Sequence, residues 1–164
     1  NKVKLLSEEE SVAEYEEYLK VLSQNGFYRY EISNFALKGY KCKHNINYWE
    51  CGEYLGFGVA AHSYINGTRY SNTENISEYI ESHNNKNFEK LTNQEKLEEL
   101  IMLGLRTKRG VSLKKLENLG FKPLENKNAL KMLSLGIIKL NSTHLYITSK
   151  NFGIANQIIL RLVE

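Results

Sequence analysis

Residues 42–64 read Cys42-Lys43-His44-Asn45-Ile46-Asn47-Tyr48-Trp49-Glu50-Cys51-Gly52-Glu53-Tyr54-Leu55-Gly56-Phe57-Gly58-Val59-Ala60-Ala61-His62-Ser63-Tyr64. Two histidines, two cysteines, the single tryptophan and four further aromatics surround a run of small residues. Glycine and alanine remove side-chain bulk, so backbone can approach a ligand closely, while imidazole and indole supply ligation and stacking. The function is therefore expected in this segment, and the rest of the chain is read outward from it.

Upstream, Ser7 with Glu10 forms a capping box, and Val12, Tyr15, Leu19 and Leu22 recur at helical spacing until Gly26. Phe27–Ser33 alternates apolar with polar residues from Tyr28 and predicts a strand. Downstream, Asn66-Gly67 lies between two short alternating runs, which predicts a type I′ hairpin because both central residues need positive φ. Asn75 with Glu78 opens a short helix through about His83. The polar run Asn84-Asn85-Lys86-Asn87 ends it and is the expected boundary between a unit at 1–84 and another at 85–164.

In the second unit Thr92 with Glu95 is another capping box. Leu97, Leu100, Ile101, Gly104 and Leu105 share a face, with a stop expected at Gly110. Helices are expected from Ser112 to about Leu119 and from about Asn126 to Leu135. Ile137–Leu140 and Leu145–Thr148 should pair across a four-residue loop, and a last helix after Ser149 should turn Ile154, Ile158, Ile159 and Leu162 inward. Three helices and a hairpin in that order are the parts of a winged-helix-like unit. The fold class expected is α+β.

The 164 residues suffice for one ordinary core or two small units. Charge is divided unevenly: residues 1–103 carry 11 Lys and Arg against 16 Glu, residues 104–164 carry 11 against 3. A basic second unit suits an anionic partner. No apolar run is long enough for a membrane span, so a cytoplasmic chain with reduced thiols is expected. The chain contains no Asp and no phosphate loop ending in Lys-Ser/Thr, which weakens triad-hydrolase and nucleotide-triphosphatase readings. Cys42, His44, Cys51 and His62 are zinc-type donors, but their spacing matches no compact zinc pattern.

Several longer motifs carry a resemblance. Tyr30-Glu31-Ile32-Ser33-Asn34-Phe35-Ala36 comes first. Cys42-x-His44-Asn45-x-x-Tyr48-Trp49 and Tyr54-Leu55-Gly56-Phe57-Gly58-x-x-Ala61-His62-Ser63-Tyr64 follow in order. Met102-Leu103-Gly104-Leu105-Arg106, Gly110-Val111, Leu145-Tyr146-Ile147-Thr148 and Asn156-Gln157 complete the series. Together they resemble the C-terminal part of the HemW haem chaperones, a branch of the radical S-adenosylmethionine (SAM) family that also contains the oxygen-independent coproporphyrinogen III oxidases.

The resemblance implies the last helix–strand step of a partial TIM barrel, residues 1–84, followed by a HemN C-terminal, winged-helix-like domain, residues 85–164. It implies haem, SAM and a [4Fe–4S] cluster in the parent protein. The cluster needs three cysteines of a Cys-x3-Cys-x2-Cys loop, which two cysteines at this spacing cannot supply, so the chain is expected to be a C-terminal fragment, inactive alone. Expected partners are haem or a porphyrin, the missing N-terminal barrel half and a haem-accepting protein.

His44 is the implied haem-iron ligand, with Asn45, Tyr48 and Trp49 beside it and the two rings available to stack on the porphyrin. Residue types alone favour a hydrogen-bonded loop histidine and a core tryptophan. Gly56, Gly58, Ala60 and Ala61 are the implied nucleoside contacts, with Asn47 and His62 nearby. At Ala60 the chain departs from the usual glycine of HemW, and tight strand-to-turn packing is the competing explanation of the small residues. Two other functions stay open: a coproporphyrinogen III oxidase part, and a winged-helix DNA-binding module using Lys108, Arg109, Lys114, Lys115, Lys122, Lys127, Lys131 and Lys139. The helix near Asn126–Leu135 offers no arginine to read guanine, which makes nucleic acid the weaker partner.

Overall fold

The computed structural model describes residues 5–81 and 86–163. The chain forms two compact units, Asn1–Cys42 and Lys43–Glu164, and the fold is α+β.

In the first unit, α1 (Glu8–Gln24) begins as its capping box requires. Ser7 Oγ accepts from the Glu10 amide at 3.2 Å, and the Ser7 amide donates to Glu10 Oε2 at 2.7 Å. Glu8, Glu9 and Glu10 lie in the first turn, where the helix dipole favours negative charge. Gly26, at φ +78°, ends it, and the Phe27 amide returns to the Leu22 carbonyl. Of the four expected core positions, Leu19 and Leu22 are half-buried, while Val12 and Tyr15 are exposed.

The strand expected over residues 27–33 is much shorter: β1 spans Tyr28–Arg29 and pairs antiparallel with β2, Phe35–Ala36. Beyond it Glu31 keeps only a single bridge position. The chain turns because Glu31, fully buried, accepts from the Ser33 amide at 2.9 Å and from the Asn34 side-chain amide. Arg29 Nε donates to the carbonyls of Glu31 and Ile32, and the Tyr30 amide donates to the Asn34 carbonyl. A carboxylate satisfied by local donors outweighs the alternation that suggested continued strand.

The second unit opens with α2 (Lys43–Trp49). Next come β3 (His62–Ile65) and β4 (Thr68–Asn72), joined by Asn66 and Gly67 at φ +51° and +73°, as a two-residue primed turn demands. Asn75 caps α3 (Ile76–Glu81), its Oδ1 accepting from the Ser77 and Glu78 amides. His83, Asn84 and Asn85, where the helix end and the unit boundary were expected, lie outside the described residues. Lys86 and Asn87, expected as loop, begin β5 (Lys86–Glu89), which extends the sheet in the order β3-β4-β5. Cross-strand pairing with β4 overrides the polar composition of this run.

The Thr92–Glu95 capping box starts α4 (Asn93–Gly104). The helix stops at Gly104 rather than Gly110. Thr107 Oγ1 donates to the Gly104 carbonyl and accepts from the Gly110 amide, closing a turn with one hydroxyl. Gly104 is also a packing requirement, since a methyl there would stand 2.8 Å from Val111 Cβ. β6 (Val111–Ser112), α5 (Leu113–Asn118), α6 (Lys127–Ser134), β7 (Ile138–Leu140) and β8 (His144–Ile147) follow, with sheet order β6-β8-β7. A 3-10 turn, Ser149–Ile154, leads into α7 (Ala155–Val163). Ile101, Leu105, Val111, Leu116, Ile138, Leu145, Ile147, Phe152, Ile158, Ile159 and Leu162 form the core. Ile154, expected inside, is 46% exposed, because it ends the 3-10 turn one step before α7 sets its buried face. Among the described residues no helix is long and apolar enough to cross a membrane.

Candidate functional site

One turn of α2 separates His44 from Tyr48, so the two side chains share a face. Their rings meet edge-on with centroids 4.9 Å apart. Tyr48 continues to Tyr54 at 4.6 Å, and Tyr54 to Tyr64 at 6.5 Å. This aromatic row exists because residues 54–64 fold back on themselves: Tyr54 and Tyr64 exchange both backbone hydrogen bonds at 2.9 Å. His44 is exposed, and among the described residues nothing hydrogen-bonds its imidazole.

Beside the row lies a cavity of about 420 Å³ lined by Tyr48, Cys51, Tyr54, His62, Tyr64, Arg69, Glu89, Glu99 and Leu103. Arg69 pairs with Glu99 and, at 3.5 Å, with Glu89. Burial alone would lower the Arg69 pKa, but the hydrogen bond and charge of Glu99, then the charge of Glu89, raise it. Burial, then the Glu99 charge, pushes the Cys51 thiol up to about 11. Burial raises Tyr64 as well, followed by Cys51 and Glu99. The cavity floor is thus an internally neutralised cation with two protonated, weakly polar neighbours.

The other expected residues fall in different places. Trp49 lines a separate cavity of about 200 Å³ with Glu50, Gly104, Arg109, Lys115 and His144. Asn45 is half-buried on α2. Asn47 holds the segment after the helix: its Nδ2 donates to the Glu53 carbonyl at 2.8 Å. Gly56 is pressed against β3, where a methyl would stand 2.2 Å from the His62 carbonyl, and its amide donates to Ser63 Oγ.

Gly58, at φ +106°, has open space where a Cβ would be; its amide donates to Tyr79 Oη and its carbonyl accepts from Asn72 Nδ2. Ala60 sits at φ +58° with its amide on the Thr73 carbonyl, and Ala61 donates to the Gly58 carbonyl. The structure therefore brings Tyr48 and His62 to one cavity with His44 against Tyr48 outside its lining, keeps Trp49 apart, and makes residues 56–61 a strap held by β3, β4 and α3.

Sequence reading did not find Tyr54, Tyr64, Arg69, Glu89 and Glu99 as cavity residues. The Asn-Gly turn contained one signal, since a two-residue loop sets Tyr64 opposite Arg69. Glu89 and Glu99 carried none, because their place depends on β5 joining the sheet and on where α4 packs. Cys42 is exposed and Cys51 half-buried, and both are free thiols. Among the described residues no three His, Cys, Asp or Glu side chains gather to hold a metal ion.

The HemN C-terminal domain family model matches residues 91–151. The protein named Heme chaperone HemW of Lactococcus lactis subsp. lactis (strain IL1403) is 33% identical over 162 residues, 95% of this chain and 43% of that protein. Its namesake in Bacillus subtilis (strain 168) is 34% identical over 159 residues, 92% of this chain and 42% of the relative. The chain thus spans less than half the length of these curated relatives. A solved structure, described as "Coproporphyrinogen III oxidase (HemN) from Escherichia coli is a Radical SAM enzyme", superposes with a TM-score of 0.71. That match covers 99% of this chain and 43% of the other at 16% identity, a likeness that shows the fold. The long motifs and these matches agree: residues 91–151 carry the HemN C-terminal domain, and the chain is similar over nearly its whole length to the HemW proteins.

Proposed function

We propose that this chain supplies the haem-holding C-terminal part of a HemW-like haem chaperone, with His44 as the axial ligand. The observation that carries the proposal is the exposed, otherwise unengaged imidazole of His44 standing edge-on to Tyr48 at the head of the Tyr48–Tyr54–Tyr64 row. A neutral imidazole is a common axial donor to haem iron, and aromatic faces suit a planar macrocycle. The adjoining 420 Å³ lies within the roughly 300–1,000 Å³ usual for ligand pockets. Because Arg69 is already neutralised by Glu99 and Glu89, it sets the pocket's polarity rather than capturing a propionate.

His44 would hold the iron, Tyr48 and Tyr54 would offer their rings to the macrocycle, and His62 lines the same cavity as the two tyrosines. Bound haem supplies a Lewis-acidic iron; the chain's own part is to bind it, orient it and limit water on one face. A nucleoside of SAM would meet the strap, where Gly58 leaves open space beside its backbone and Ala60 and Ala61 follow; His62 begins β3 directly after it, while Asn47 holds the Gly52–Glu53 segment. Two cysteines do not fit a three-thiolate cluster loop, so this chain by itself would not hold a [4Fe–4S] cluster. Residues 1–84 would end the barrel and 85–164 form the winged-helix-like domain, in a cytoplasmic protein that hands haem to an acceptor.

Titration of haem into the purified chain, followed by its Soret absorbance, tests this. Binding that weakens at least tenfold in His44→Ala and Tyr48→Ala, and is unchanged in a conservative Trp49→Phe variant, is the expected result. An unshifted Soret band, or equal binding by His44→Ala, would remove the proposal.

A further inference from the structure

Away from the cavity, α6 and the α7 region lay two whole helical faces side by side. Asn128, Lys131, Met132 and Leu135 recur at i, i+3, i+4 and i+7; Ile154, Gln157, Ile158 and Arg161 repeat the same spacing. Between them runs a groove of about 520 Å³. Seven residues of helix make it roughly 10 Å long on each wall. Its floor is apolar: Met132 and Ile158 are buried, and Leu135 and Ile154 remain 60% and 46% exposed.

The charges on the rim are all of one sign. Lys131 and Arg161 are exposed, and among the described residues no glutamate lines the groove and neither cation has an acidic partner. Elsewhere in this unit three cations have carboxylate partners: Arg109 meets Glu50, Arg69 meets Glu99, and Lys122 meets Glu125. Two adjacent helix faces with an apolar floor offer the seat that a third helix fills with its own i, i+3, i+4, i+7 residues. Cations on both walls favour an occupant whose flanks are acidic.

We propose that the α6–α7 groove is a docking site for an acidic amphipathic helix of a partner protein. The proposal is independent of the haem reading, because it uses no residue of that site. Phosphate backbones are the less suitable anion here, since an apolar floor offers them nothing and the two cations are too few for a strong electrostatic footprint.

The test uses a fluorescent synthetic helix of about 14 residues, some 21 Å long, with leucines at i, i+3, i+4 and i+7 and glutamates elsewhere, and the same helix with lysines for glutamates. Fluorescence anisotropy with the full chain should show binding of the glutamate helix and not of the lysine helix. The double variant Lys131→Glu/Arg161→Glu, at exposed positions and checked for fold by circular dichroism, should lose at least tenfold in affinity for the glutamate helix and acquire affinity for the lysine helix. Lys139→Glu, on β7 and outside the groove, should bind as the parent does. Several results would overturn the proposal: no binding of the glutamate helix, equal loss in Lys139→Glu, or no effect of the double variant. So would self-association abolished by Leu135→Glu, which would make a second copy the occupant, or binding of duplex DNA or phosphatidylglycerol vesicles, but not the glutamate helix, that the double variant abolishes.

Discussion

At Cys51, burial and then the Glu99 charge hold the thiol protonated up to about 11 against an ordinary 9.0. A thiolate is the reactive form, so at pH 8 the two cysteines should separate: exposed Cys42 reacts with a disulfide reagent, and a Cys42→Ser variant shows almost no labelling until the chain is unfolded. Rapid labelling of that variant under native conditions would mean the Cys51 pocket is open. The linkage sign follows from the raised value. The stability Cys51 contributes is present below pH 9 and is lost as pH rises from about 9 to about 11, which a series of urea midpoints across that range would register. Gly56 is the other residue with a single-atom consequence. Its missing Cβ would stand 2.2 Å from the His62 carbonyl, so Gly56→Ala should cost about 1–3 kcal/mol, read from urea unfolding, and displace the strap.

Among the elements, α2 is held at its C-terminal end. Lys115 Nζ donates to the Glu50 carbonyl at 2.7 Å, and Arg109 meets Glu50 Oε1 at 2.9 Å. A cation on the terminal carbonyls of a helix complements its dipole, typically by about 0.3–1 kcal/mol. Lys115→Ala should lower stability within that range, by less at high salt, and should weaken haem binding modestly by loosening the element that carries His44 and Tyr48. No change in either quantity would mean that α2 is fixed by other contacts. At the start of α4, Thr92→Ala removes a side chain that accepts from the Glu95 amide, and an unfolding free energy lower by about 1 kcal/mol is expected. Glu95 is held below its ordinary range by the backbone and then the side chain of Thr92. The cap's contribution is therefore present above pH 4.5 and fades as pH falls through the lowered value.

On the scale of the second unit, the motif segment and the C-terminal core form one compact body. Trp49, the single tryptophan, reports on it from a cavity shared with Gly104, Arg109 and His144. Leu145 lies fully buried on β8. Leu145→Ala should cost about 2–5 kcal/mol, and the urea midpoint followed by Trp49 fluorescence should fall with it. A Trp49 midpoint that stays put would mean that residues 43–81 unfold on their own. Both capping boxes, the Asn-Gly hairpin, the Asn75 cap and the helix starts near Ser112 and Asn126 were legible in the sequence, because each depends on residues at most a few positions apart; the β-loop expected over four residues spans three, because His144 pairs as the first residue of β8. The strand after Tyr28 was misread because the partners of Glu31 are side-chain and backbone donors that a period-two pattern does not encode. The stop at Gly104 was misread because a threonine hydroxyl three residues later closes the turn.

The sequence by itself determined the capped helices, the Asn-Gly hairpin and the resemblance to HemW, since each rests on neighbouring residues; the helix that sets His44 against Tyr48 was not among them, the histidine having been expected in a loop. Only the tertiary structure decided that Trp49 faces another cavity, that Gly56 serves packing, and that Glu89 and Glu99 neutralise Arg69. Those outcomes depend on which surfaces meet after β5 joins its sheet and α4 packs against α2, β6 and α7. Contacts between residues distant in the chain are set by the packing of whole faces, and local spacing carries no record of it.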